Sequence, residues 1–303
     1  MTGAQRGFLL LCSHLGDPQR PVLTVARFRA LAALARGMER PTQERDLTPR
    51  DLASLGIGRE EGEKICFLLS QEELLDAYLR RAARLGCVPI TRAHEAYPAR
   101  VRAALGDDAP ACLWACGDLK ILKNPSVSLV GSRDLKAENE LFAREAGRQA
   151  ALQGFLLISG NARGTDRLGQ QAALEAGGNG ISVVADRLDR HSPRQGVLWL
   201  SEDSYDLDFS AARAHSRNRV IHSFSPMTLV AACRAGKGGT WAGATQNLSH
   251  NWSRLFVFAD SSEGCRALLE RGAFGIEQAQ LQDLPALLGP RQLSMIQNWE
   301  ETP

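Results

Sequence analysis

The hydrophobic pattern changes character about a third of the way along the chain. Residues 1–85 carry apolar side chains at helical spacing, as in Val25, Phe28, Leu31 and Leu34 within Val22–Met38. Leu74, Leu75, Tyr78, Leu79 and Ala82 repeat it within Glu72–Leu85. Thr48 before Pro49 reads as an N-cap with proline at the first helical position. From about Cys87 the pattern becomes short continuous apolar runs: Cys112–Ala115, Val127–Val130, Phe155–Ile158, Ile181–Ala185, Val197–Leu200, Met227–Ala231 and Leu255–Phe258. Helical patterns over Leu135–Leu152 and Asp166–Ala176 separate several of them. Continuous apolar strands alternating with helices predict an α/β fold, its mostly parallel sheet doubly wound and covered on both faces. The expected domains are a small all-α unit over 1–85, an α/β unit over 86–290 and a tail over 291–303. Val127–Val130, Phe155–Ile158, Ile181–Ala185 and Met227–Ala231 are expected as neighbouring parallel strands, because helices or long crossovers connect them.

Ligands of such sheets bind at the carboxyl ends of strands, and four segments would converge there if the sheet is doubly wound. Gly131-Ser132-Arg133 follows Val127–Val130. Ser159-Gly160-Asn161-Ala162-Arg163-Gly164-Thr165-Asp166 follows Phe155–Ile158. Arg217-Asn218-Arg219 precedes Met227–Ala231, and Lys237-Gly238-Gly239-Thr240 comes after it. Glycine turns that open into helices present unpaired N–H groups to an anion, and arginine forks suit phosphate oxygens. Arg217 and Arg219 share a face if extended and diverge if helical. Asp166 is expected to cap or brace its own turn. Trp241, directly after the last glycine loop, is a candidate base stacker or a core side chain.

Net charge changes the picture little. Thirty-six Lys and Arg stand against 34 Asp and Glu, so any nucleic-acid site is local rather than a global basic field. The seven cysteines are scattered without a CxxC pair, which predicts buried reduced thiols, no metal, no disulfide and a cytoplasmic chain. Gly7–Leu15 is too short for a membrane span. Leu52–Gly58 with Ile65 has the outline of a helix-hairpin-helix, or of an ordinary glycine-bent connection. No Walker lysine loop or GxGxxG fingerprint occurs, so neither NTP nor NAD is expected and no cofactor is called for.

In-order motifs from about Ile90 to Ile276 resemble the DprA/Smf DNA-processing family. They begin with Tyr97-Pro98, Val101, Leu105 and Cys116-Gly117-Asp118. Val130–Arg133, Ser159–Asp166, Ala173-Leu174, Gly177-Gly178 and Leu200-Ser201-Glu202 follow. Arg217–Ile221, Glu263-Gly264 and Leu268–Ala273 complete the series. The resemblance implies a Rossmann-like fold that binds single-stranded DNA without catalysis and loads a strand-exchange recombinase during natural transformation. A homodimer is implied with it. The chain departs from the family at Gln170, where a His is usual, at Cys233, where a Glu is usual, and over Gly238–Ala244. The stretch up to Pro303 leaves little room for a winged-helix domain.

Two alternatives stay open: a nucleotide-binding sensor in a defence or mobile-element system, and a nucleotide phosphoribohydrolase akin to the LOG enzymes. The hydrolase needs a carboxylate just after the glycine loop, where this chain has Trp241–Gln246. Asp166 and Glu202 are the candidates to replace it.

Overall fold

The computed structural model describes residues 1–37, 46–191 and 193–289. Met38 and the tail over 291–303 lie outside these residues. The N-terminal part forms α1 (Gly3–Cys12), α2 (Val25–Ala35), α3 (Pro49–Ser54), α4 (Arg59–Leu69) and α5 (Glu72–Arg84). Thr48 caps α3 in a capping box with Asp51, and Pro49 occupies its first turn. The α3–α4 hairpin turns at Gly56 (φ +78°) and buries Leu52, Ile57 and Ile65 in a core shared with α1. On its outer face Glu61 is ion-paired with Arg27.

The second part runs β1 (Cys87–Thr91), α6 (Ala99–Leu105), β2 (Cys112–Cys116), β3 (Ser126–Val130), α7 (Ala137–Leu152) and β4 (Leu156–Ser159). It continues through α8 (Thr165–Glu175), β5 (Gly180–Val184), β6 (Val197–Glu202), α9 (Ala211–Phe224) and β7 (Met227–Val230). It closes with α10 (Gly238–His250), β8 (Arg254–Phe258), α11 (Glu263–Glu270) and β9 (Phe274–Ile276). Among the described residues the strands form one nine-stranded sheet in the order β1-β2-β6-β5-β4-β3-β7-β8-β9.

The four strands expected as parallel neighbours are so: β4 and β7 flank β3, and β5 lies beyond β4. Two features escaped the hydrophobic pattern. Strands β1 and β9 extend the two edges, and β1-β2-β6 pair antiparallel. Both extra strands are short and partly exposed, and each carries a residue that disfavours strands, Pro89 in β1 and Gly275 in β9.

Helices cover both faces. Phe142, Ala143, Ala146 and Ala150 of α7 pack on one face with Leu129 and Leu157. Val220, Ile221 and Phe224 of α9 pack on the other with Leu156, Ile158 and Val230. The helical part does not stand apart from the sheet. Leu9, Leu10, Leu75, Tyr78 and Ala82 share a core with Cys87, Trp114, Trp199 and Tyr205 at the β1-β2-β6 edge. Tyr78 and Tyr205 each contact Trp114 edge-on. The chain enters at one edge, builds β3 in the centre, runs outward to β6, then crosses back through α9 to β7. The reversal leaves a crevice over the carboxyl ends of β3 and β7, the usual ligand position of an open α/β sheet.

Candidate functional site

A cleft of about 420 Å³ occupies that crevice. Its walls are the two glycine turns after β3 and β7 and the start of α10. Gly131 has no room for a side chain, since a Cβ there would lie 2.2 Å from Thr165 Oγ1. The Thr165 hydroxyl donates to the Ser132 carbonyl at 3.2 Å, and the Thr240 hydroxyl donates to the Gly131 carbonyl at 2.9 Å. The β3 turn is thereby fastened to the first turns of α8 and α10. Gly164 takes φ +85°, with the Ser132 and Arg133 carbonyls packed where a Cβ would stand. Helix α10 begins Lys237-Gly238-Gly239-Thr240 with no side-chain cap on its N-terminal N–H groups. Such a helix end, lined by glycines, favours an anion.

The cations at the cleft differ in their freedom. Arg133 and Lys237 are exposed and line the cleft, and among the described residues neither side chain makes a hydrogen bond or ion pair. Arg234 also lines it and pairs with Asp134 at 3.0 Å. Arg163 pairs with the same carboxylate at 2.7 Å, from the rim. Arg234 was not among the residues the sequence singled out. Its signal was present, one basic residue three positions before Lys237 in the same strand-end loop.

Arg217, Asn218 and Arg219 are not extended; they sit on α9, so successive side chains point about 100° apart. Asn218 faces the glycine loop and donates to the Gly239 carbonyl at 3.2 Å. Arg217 points down into the floor, 9% exposed, and donates to the Val183 carbonyl at 2.5 Å. Arg219 points away from the cleft and pairs with Glu202 at 2.6 Å. It lines a second cavity of about 880 Å³ between the N-terminal helices and the sheet. Of the two alternatives the sequence left open, the helical one holds: the two arginines diverge, and each braces a different side of α9, in place of the phosphate-facing role expected of both.

Asp166 sits beneath the β4 turn and accepts from the Gly160 and Ala162 N–H groups at 3.0 and 3.2 Å. Burial pushes its carboxyl above the ordinary range, opposed first by the Arg217 guanidinium. Burial likewise pulls Arg217 below the usual arginine value, with Asp166 as the leading opposing charge. Arg217 fills the space above Gly160, where a Cβ would come within 1.9 Å of Nη1. Ser159 is fully buried under this turn and does not reach the cleft. Gln170, standing where a histidine was expected, bonds the Ser182 hydroxyl and the Ile181 carbonyl inside the sheet. Trp241 is half-buried against the core, with Arg271 over its ring at 5.3 Å, and does not line the cleft.

His222 forms part of the floor and is fully buried, and burial pushes its pKa down to about 4. Its depressed value means stability that is present above the unfolded pKa near 6.5 and is lost as pH falls through about 4. Unfolding free energy should therefore decline between about pH 6.5 and 4, and His222→Gln should remove about 1–3 kcal/mol of that decline. Urea titrations of both proteins at pH 7, 5.5 and 4.5 check this. His14 acts with the opposite sign, because its bond to Asp203 raises its pKa. The difference between the two proteins, rather than either curve, carries the result.

Among the described residues no group of three His, Cys, Asp or Glu is placed to hold a metal, and no helix is long and apolar enough to cross a membrane. The model of the family DNA recombination-mediator protein A matches residues 89–284, which include every residue of the cleft. Protein Smf of Escherichia coli is 32% identical over 155 residues, covering 47% of this chain and 41% of that protein. DNA processing protein DprA of Streptococcus pneumoniae is 28% identical over 183 residues, covering 55% and 63%. The matches span between 41% and 65% of the length of such relatives. The X-ray structure of the Streptococcus pneumoniae protein superposes with a TM-score of 0.68 at 22% identity, over 93% of this chain and 96% of that one. DNA processing protein A of Helicobacter pylori, whose structure concerns its single-stranded DNA binding mode, superposes at 0.56 and 24% identity, over 67% and 95%. The in-order motifs, the nine-stranded sheet and the family match agree, and the chain belongs to the DNA recombination-mediator protein A, or DprA/Smf, family.

Proposed function

We propose that the cleft over β3 and β7 holds the phosphates of single-stranded DNA, and that the chain is a non-catalytic DNA-processing protein of recombination and natural transformation. One observation carries the reading. The N-terminus of α10, which has no side-chain cap, its glycine run and the exposed cations Arg133 and Lys237, unpaired among the described residues, meet at one crevice. Family membership and the DNA-binding mode named for the Helicobacter pylori relative support the same ligand. The strand-exchange recombinase, a homodimer and a cytoplasmic location belong to this proposal through the family alone. The enzyme reading finds little support, because the carboxylates it needs are engaged. Asp166 holds the β4 turn, and Glu202 is tied to Arg219 on the far side of α9.

Phosphate contacts fix position without reading bases. Binding to single strands should therefore tolerate changes of sequence and weaken with salt, with a logarithmic slope of about −0.7 per phosphate contacted. Anisotropy titrations of two unrelated single strands, a duplex and a nucleoside monophosphate, each at two salt concentrations, test it. Affinity that ignores salt, or equal affinity for duplex, counts against the reading. Tight binding of the mononucleotide alone favours the sensor.

A further inference from the structure

We propose that Cys87 and Cys116 form a reversible disulfide that fastens edge strand β1 to β2, a redox-modified site separate from the DNA cleft. The two residues are directly opposite in the antiparallel pair β1–β2. The Arg92 N–H donates to the Ala111 carbonyl at 3.0 Å, so that pair is a hydrogen-bonded one. Pairs alternate along an antiparallel ladder. Counting back five positions from Arg92 places Cys87 and Cys116 in the non-hydrogen-bonded phase, where opposing Cα atoms are about 4.5 Å apart. Pro89 opposite Trp114 falls in the same phase, as a residue without an N–H must. Opposing side chains point to the same face of the sheet, and about 4.5 Å lies within the Cα separation that a disulfide spans.

The side chains obey the same geometry. Both thiols point to the Leu85 carbonyl, at 3.8 Å from Cys87 and 3.9 Å from Cys116. The two thiols differ in access. Cys87 is 2% exposed and burial pushes its pKa up to about 12. Cys116 lines an open cavity of about 520 Å³ together with Gly117, Asp118 and Arg194. Cys116 is therefore the attacking sulfur and Cys87 the resolving one.

The co-reactant is a small-molecule disulfide such as oxidised glutathione. The Cys116 thiolate attacks one of its sulfurs, and the S–S bond breaks to release one glutathione thiolate. The Cys87 thiol then loses its proton and attacks Cys116 Sγ in the mixed disulfide, releasing the second glutathione. Two protein thiols and one small disulfide become one protein disulfide and two small thiols, and the two protein protons pass to the released thiolates. The bond joins the first residue of β1 to the last of β2, just after α5 enters the sheet through Gly86. Oxidation thus clamps the junction between the helical part and the sheet.

The test treats the full chain, folded, with oxidised glutathione at pH 8. Alkylation, digestion and mass mapping follow, and melting is recorded beside it. The expected result is a fall from seven alkylated thiols to five, one linked peptide pair containing Cys87 and Cys116, a raised Tm, and full reversal by dithiothreitol. Cys116→Ser should yield no linked pair. Retention of all seven thiols, arrest at a glutathione adduct on Cys116, or a link between another pair such as Cys233 and Cys265 would overturn the proposal.

Discussion

Replacing Arg217 with Met is expected to cost about 3–5 kcal/mol of unfolding free energy, on the order of 10 °C in Tm. The substitution keeps most of the side-chain volume and removes the charge. Asp166 then remains buried under the β4 turn without its leading favourable charge. The Val183 carbonyl also loses its donor. Asp166 cannot turn to solvent, because the Gly160 and Ala162 N–H groups hold it in place. Asp166→Asn combined with Arg217→Met should recover part of the loss, since no uncompensated charge then stays inside. Urea unfolding of the wild type and both variants at pH 7 reads this directly. A single variant within 1 kcal/mol of wild type would show that Arg217 braces nothing.

The second large effect is on DNA affinity. Arg133→Ala combined with Lys237→Ala should weaken single-strand binding at least a hundredfold while leaving Tm unchanged. Each charge-assisted hydrogen bond contributes roughly 1.5–3 kcal/mol, so each single variant should lose about tenfold or more. Stability is spared because neither side chain makes a hydrogen bond or ion pair among the described residues. Arg219→Ala is the contrasting variant. It breaks the pair with Glu202 on the other side of α9, so it should lose stability and keep most of its affinity. If the folded double variant binds within threefold of wild type, the cleft is not the DNA site.

The hydrophobic pattern determined the α/β class, the parallel centre β5-β4-β3-β7 and the two glycine turns at strand ends. These follow from local physics: continuous apolar runs need cover on both faces, and helices between them force parallel crossovers. Gly131, Ser132, Arg133, Lys237, Gly238, Gly239 and Thr240 were legible for the same reason, since their place follows from the strand they terminate. The fates of Arg217 and Arg219 were not legible. An Arg-Asn-Arg run carries no mark of helix or strand, and only the rotation of α9 sends one arginine under the cleft and the other to Glu202.

Arg163 illustrates the same limit, because its partner Asp134 comes from a different strand end and shares its charge with Arg234. The edge strands β1 and β9 were not legible because each is short and interrupted by Pro89 or Gly275, so their pairing was decided by the sheet and not by their own residues. Cysteine spacing likewise pointed to isolated thiols. Cys87 and Cys116 are far apart in sequence and become neighbours only through the register of β1 on β2. Local sequence sets which elements form and what ends them. Which side chains meet across elements depends on register and helix rotation, and those are fixed only when the whole core packs.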